Sequence, residues 1–130
     1  ETGAMMVRRD VIEQVGKMPE VFFLFAEEFD WSYQITEAGY KLWYEAEVVV
    51  YHKGGATIGY GSPNRAYYMS RARLLFTRRR SKWAIRLLSC TYLVCVSMPK
   101  NVIVALRKKN WMVAIALIRG TWHGLIDKKK

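Results

Sequence analysis

The spacing of apolar residues changes several times along this chain. Residues 4–7 form a short apolar run behind Gly3, the pattern of a buried strand. Asp10 fits an N-cap, with Glu13 three positions on as its capping-box partner, and Val11, Ile12 and Val15 carry the predicted helix to Gly16. Pro19 marks the turn after it. Residues 22–25 are too short and too aromatic for a helix and read as an extended segment or loop wall. A second helix is expected from Glu27, ending at Gly39. Residues 40–44 alternate weakly and residues 47–51 are continuously apolar. These two predict strands, the second buried on both faces. Glycines at 54, 55, 59 and 61 then predict a flexible loop closing at Ser62-Pro63.

The pattern becomes helical beyond Ser62. Residues 65–80 read as a helix that ends in Arg78-Arg79-Arg80. Residues 83–98 are apolar except for Arg86, until Pro99 breaks the run. Residues 101–106 resume it, Arg107-Lys108-Lys109 interrupt it, and residues 111–118 are apolar again. Neither stretch reaches the roughly 20 uninterrupted apolar residues of a clean membrane span. Lys and Arg flank both, and Trp83, Trp111 and Trp122 sit near their ends. That arrangement predicts a helical hairpin lying in the surface of a cytoplasmic leaflet. A two-helix cap packed on a globular domain fits the same pattern.

Charge sharpens this division. The first 64 residues carry five basic and ten acidic side chains, whereas residues 65–130 carry sixteen basic and one acidic. An acidic half is followed by a basic, apolar-rich half, which suits anionic partners such as lipid headgroups. Nucleic acid is not the expected partner. The cations flank apolar stretches instead of forming one solvated face with stacking aromatics. The 130 residues suffice for one small domain, and 52% hydrophobic content excludes a disordered chain. The first residue is Glu1, so the chain is expected to be part of a longer or processed protein. Cys90 and Cys95 match neither a redox nor a zinc spacing and read as reduced, apolar filler.

The candidate chemistry lies in FFLFAEEFDW, residues 22–31. Four apolar residues lead directly into Glu27, Glu28 and Asp30. A carboxylate beside an apolar wall and other acids gains proton affinity, which suits a general base. The same acids also suit the first turn of a helix, where they favour its dipole. His52, at the end of the second predicted strand, is a candidate metal ligand or a structural histidine.

Four blocks in order, GAMMVRRDVIEQVG, FFLFAEEFDW, EAGYKLWYEAEVVVYHKGG and YYMSRARLLF, resemble family 2 inverting glycosyltransferases of the rhamnosyltransferase-like group. The likeness covers Gly3 to about Phe76 and corresponds to the C-terminal half of that family's catalytic domain. It implies an α/β fold, the C-terminal portion of a GT-A (Rossmann-like) domain over residues 1–62. A basic helix over 63–80 would close the site, and an amphipathic membrane-associating tail would occupy 81–130. The resemblance further implies a nucleotide-sugar donor, a lipid-linked or polysaccharide acceptor, and a divalent Mn or Mg ion. The family's N-terminal half carries an Asp-x-Asp metal motif that does not occur here. By the same resemblance Glu28 is the base, with Glu27 and Asp30 as substitutes, and His52 is the metal ligand. Arg71 and Arg73 face the departing diphosphate, and Gly3, Ala4 and Trp31 lie on the acceptor side. The full enzyme would work at the cytoplasmic face of a membrane in cell-surface polysaccharide synthesis.

Overall fold

The computed structural model describes residues 4–52 and 58–128. Among these it holds five helices and no strand: α1 Arg9–Val15, α2 Glu27–Glu37, α3 Pro63–Arg80, α4 Trp83–Arg107 and α5 Trp111–Ile126. The α/β expectation is therefore overturned. Residues 4–7, 40–44 and 47–51 form no ladder, and Trp43, Tyr44 and Tyr51 lie exposed. β-propensity expresses itself only where neighbouring strands cover the backbone, and none of these runs finds such a partner.

The helices obey local rules, with some differences from expectation. α1 starts one residue before Asp10, whose carboxylate pairs with Arg8 instead of capping the helix, while Glu13 pairs with Arg9. Gly16 ends α1 with φ 92°, a conformation that favours glycine. The Ser62 hydroxyl caps α3 by accepting from the Arg65 N–H at 3.1 Å, and Pro63 occupies the first turn. The runs on either side of Pro99 join into one 25-residue helix, α4, instead of breaking there. Pro99 removes an N–H and crowds the carbonyl four residues back. The wider π turn at Leu93–Ser97, directly before it, accommodates that mismatch.

The core is small and divided. Val11, Trp31 and Ile35 join α1 to α2, and the Trp31 indole N–H donates to the Gly16 carbonyl at 2.9 Å. Phe22, Ala72 and Leu75 join the segment before α2 to α3. α3 then packs along α5, which runs parallel to it, and α4 lies beside both. α3 is thus the spine connecting the acidic first half to the apolar hairpin.

Glycine makes the α3–α5 contact possible. A Cβ on Gly120 would meet the Tyr67 carbonyl oxygen at 2.3 Å, and one on Gly124 would meet that of Arg71 at 2.8 Å. Ala116, Gly120 and Gly124 form a small-residue stripe facing α3, with Thr121 beside it. The opposite stripe, Trp111, Ile115, Ile118, Trp122 and Ile126, stays exposed. α5 therefore buries its small residues and presents its large apolar ones.

Candidate functional site

Two consecutive residues before α2 adopt left-handed backbone without being glycine, Phe25 at φ 66° and Ala26 at φ 69°. Each costs roughly 1–3 kcal/mol and persists only where surrounding packing imposes it. Here the packing is visible. Phe25 and Ala26 lie against the Phe22–Ala72–Leu75 cluster, and the Arg65 guanidinium sits 5.2 Å from the Phe25 ring centre. The turn ends in Glu27, the first residue of α2.

Glu27 is the unusual carboxylate of the set. Its Oε2 is buried and has no hydrogen-bond partner among the described residues. Burial pushes its carboxyl above the ordinary glutamate range, the backbone N–H of Glu27 opposes that, and the Glu28 charge adds to it. A carboxylate with an orphaned oxygen and raised proton affinity is equipped to take a proton from a hydroxyl. Glu28 follows it on α2 and is half-buried.

Asp30 has the opposite environment. It is 0% exposed. Oδ1 accepts from Arg80 Nε at 2.5 Å, and Oδ2 accepts from Arg80 Nη2 at 2.9 Å, Gln34 Nε2 at 3.0 Å and Arg79 Nη2 at 3.3 Å. Burial pushes its carboxyl up, but the hydrogen bonds and charges of Arg80 and Arg79 outweigh this and hold it below the usual range. A carboxylate so fully engaged has no lone pair left for a substrate. Asp30 anchors α2 to the end of α3.

The remaining candidates separate. Trp31 is buried between α1 and α2, so its ring is part of the core and not of an acceptor surface. Ala4 is exposed, and Gly3 lies outside the described residues. Arg71 is committed on both sides, to Asp127 at 2.5 Å and to the Val21 carbonyl at 3.3 Å. Arg73 is exposed and makes no ion pair among the described residues. His52 is exposed on the irregular segment before residues 53–57, which lie outside the described residues together with Gly54 and Gly55. Among the described residues no three His, Cys, Asp or Glu side chains gather as metal ligands. His52 thus has no set of metal-ligating side chains gathered beside it among the described residues.

Two features of the site were missed in the sequence. Arg79 and Arg80 hold Asp30, although the arginine triplet reads simply as a basic helix end. Tyr67 and His123 meet at 2.6 Å between hydroxyl and Nδ1, joining α3 to α5 across 56 residues. The glycine pair on α5, spaced by four, was the available signal for that contact.

Comparison with known proteins adds nothing to this geometry: no family profile, characterised protein or solved structure matches the chain.

Proposed function

We propose that this chain is the acceptor-side, membrane-docking portion of a glycosyltransferase that moves a sugar from a nucleotide-sugar donor to a lipid-linked or saccharide acceptor with inversion. The observation that carries this reading is Glu27, a desolvated carboxylate with an orphaned oxygen on a strained turn. In the reaction the acceptor hydroxyl gives its proton to Glu27 as its oxygen bonds to the anomeric carbon. The bond from that carbon to the nucleotide diphosphate breaks on the opposite face, and the diphosphate leaves with the bonding electrons. Glu27 takes the base role in preference to Glu28, because its environment raises its proton affinity. Binding of the donor belongs to a further part of the enzyme, outside this chain.

Supporting the docking half of the reading, α5 exposes Trp111, Ile115, Ile118, Trp122 and Ile126 while packing on small residues. In water this order is unfavourable; in lipid it is the ordinary one, since small residues let helices approach and large ones face acyl chains. α4 is about 37 Å long, enough to cross a hydrocarbon core of about 30 Å by length alone. α3, however, lies beside it and carries six arginines between Arg65 and Arg80. Such a charged neighbour suits helices lying at the cytoplasmic interface, with the apolar stripe of α5 turned to lipid.

The test is sugar transfer in vesicles by the enzyme that contains this chain. Glu27→Gln should lower kcat by about 10²–10⁴, the usual contribution of a general base, and leave the donor KM unchanged. Full turnover by that variant would refute the assignment. A second reading is a non-catalytic membrane-binding module. It is favoured by the orientation of α5, which needs no chemistry to explain it. Vesicle binding without turnover in the same assay would select it.

A further inference from the structure

A cleft of about 270 Å³ opens between α3, α4 and α5. That volume is near the lower end for ligand pockets, roughly 300–1,000 Å³, and suits a headgroup better than a whole lipid. Its walls combine two chemistries. Met69 and Leu93 supply an apolar floor, and Ser70, Arg73 and Ser97 supply donors from two different helices, while the Asn101 amide beside them donates to the Ser97 carbonyl at 2.8 Å. No acidic side chain lines it. Other arginines of α3 are spent, Arg71 on Asp127 and Arg79 and Arg80 on Asp30. Arg73 has no such partner among the described residues, so its charge remains available to a ligand.

The position of the cleft narrows the ligand. Tyr92 and Val96 on α4, flanking its Leu93 and Ser97 walls, are exposed apolar side chains. An occupant thus meets cation and hydroxyls within the cleft, and exposed apolar side chains continue beside it along α4. That is the chemistry of an anionic amphiphile. We infer that the cleft seats the phosphate headgroup of an anionic membrane phospholipid, with Arg73 as its counter-ion and the chains running out along α4. The guanidinium fork matches phosphate oxygens, and the Ser70 and Ser97 hydroxyls complete the set of donors. The bound lipid would fix how deeply the hairpin sits and hence the height of Glu27 above the bilayer. This inference rests on the membrane-docking part of the function proposed above.

The test is native mass spectrometry of the whole chain after reconstitution into phosphatidylcholine vesicles, with and without phosphatidylglycerol, followed by transfer to detergent. The wild-type chain and Lys108→Gln, a charge change in the turn outside the cleft, should each retain one phosphatidylglycerol. Arg73→Gln should lower the retained fraction by about tenfold or more, the loss of one charge-assisted contact. Ser97→Trp, which fills the cleft without altering charge, should do the same. Arg73 is exposed, so its variant keeps the fold, and unchanged far-ultraviolet dichroism checks this. Retention undisturbed by Arg73→Gln would overturn the site, as would equal loss in Lys108→Gln. Displacement of the lipid by inorganic phosphate alone would reassign the cleft to free phosphate and overturn the lipid. A chain that does not float with vesicles at all would instead remove the docking reading, and this inference with it.

Discussion

Asp30 Oδ1 accepts from Arg80 Nε at 2.5 Å, and the carboxylate is wholly buried. The contact links residues fifty positions apart and joins α2, where the acidic cluster starts, to the end of the arginine-rich spine α3. Asp30 also neutralises Arg79, so one carboxylate serves two guanidinium groups. Burial costs each ion solvation, and the network of hydrogen bonds offsets it. Arg80 reaches Glu37 as well at 3.2 Å, which adds a second anchor on the same helix.

Asp30→Asn should therefore destabilise the chain by about 3–5 kcal/mol, the usual cost of leaving a buried charge unpaired. Urea unfolding followed by far-ultraviolet dichroism checks this. The pH dependence has a definite sign. The folded carboxyl lies below its unfolded value of about 3.9, so its stabilisation is fully present above that pH. It is lost as pH falls from there through the lower folded value. Asp30→Asn should remove that acid-side loss, and an unchanged acid transition would contradict the account.

Glu27 should behave oppositely. Its folded carboxyl lies above the unfolded value of about 4.3, so the ionised form costs stability as pH rises past that point. Glu27→Met, of similar shape and without the orphaned oxygen, should raise stability at neutral pH by about 1 kcal/mol. The gain should fade below pH of about 4, where both states are protonated. Stabilisation by removing a catalytic group is the expected trade between activity and stability. Equal or lower stability at neutral pH would show that Glu27 is satisfied in solution.

Gly120→Ala should separate α3 from α5. The new Cβ would meet backbone at 2.3 Å, which cannot move aside as a flexible side chain could. A loss of about 1–3 kcal/mol is expected for such overpacking. The Tyr67–His123 hydrogen bond should weaken with it. Thermal unfolding measures the first effect, and the histidine ring shifts in nuclear magnetic resonance measure the second. Wild-type stability in Gly120→Ala would place α5 elsewhere.

Trp122→Glu changes an exposed side chain on the outer stripe of α5. It should leave the fold intact and reduce binding to anionic vesicles by tenfold or more, roughly the loss of burying one aromatic ring plus an added repulsive charge. Cosedimentation with vesicles measures it. Binding equal to wild type would mean that this stripe does not face lipid.

Local signals proved legible and long-range ones did not. Gly16, Gly39 and Ser62 mark helix ends in the sequence, and the helices end or begin beside them in space. The helical hairpin after Ser81 was also legible from composition, but the break expected at Pro99 does not occur, because the π turn that spares the helix has no clear sequence mark. The β-rich runs at 40–44 and 47–51 misled for a different reason. Their side chains favour strands, but a strand needs a neighbour, and propensity says nothing about whether one is present. Within the acidic cluster, the family resemblance put Glu28 first as the base, with Glu27 and Asp30 as substitutes. Only packing separates them. One is locked by two arginines from α3, and one has a buried oxygen without a partner among the described residues.

The most direct measurement of the central claim is the pH profile of kcat/KM for sugar transfer in vesicles, on wild type, Glu27→Gln and Glu28→Gln. The base must be ionised to act, so the rate should fall as pH drops through the Glu27 value. Burial raises that value, which places the acid limb above the ordinary glutamate range. The account predicts this displaced limb in wild type and Glu28→Gln, and a rate lowered across the whole range in Glu27→Gln. Glu27→Gln retaining both the wild-type rate and the same limb would contradict it.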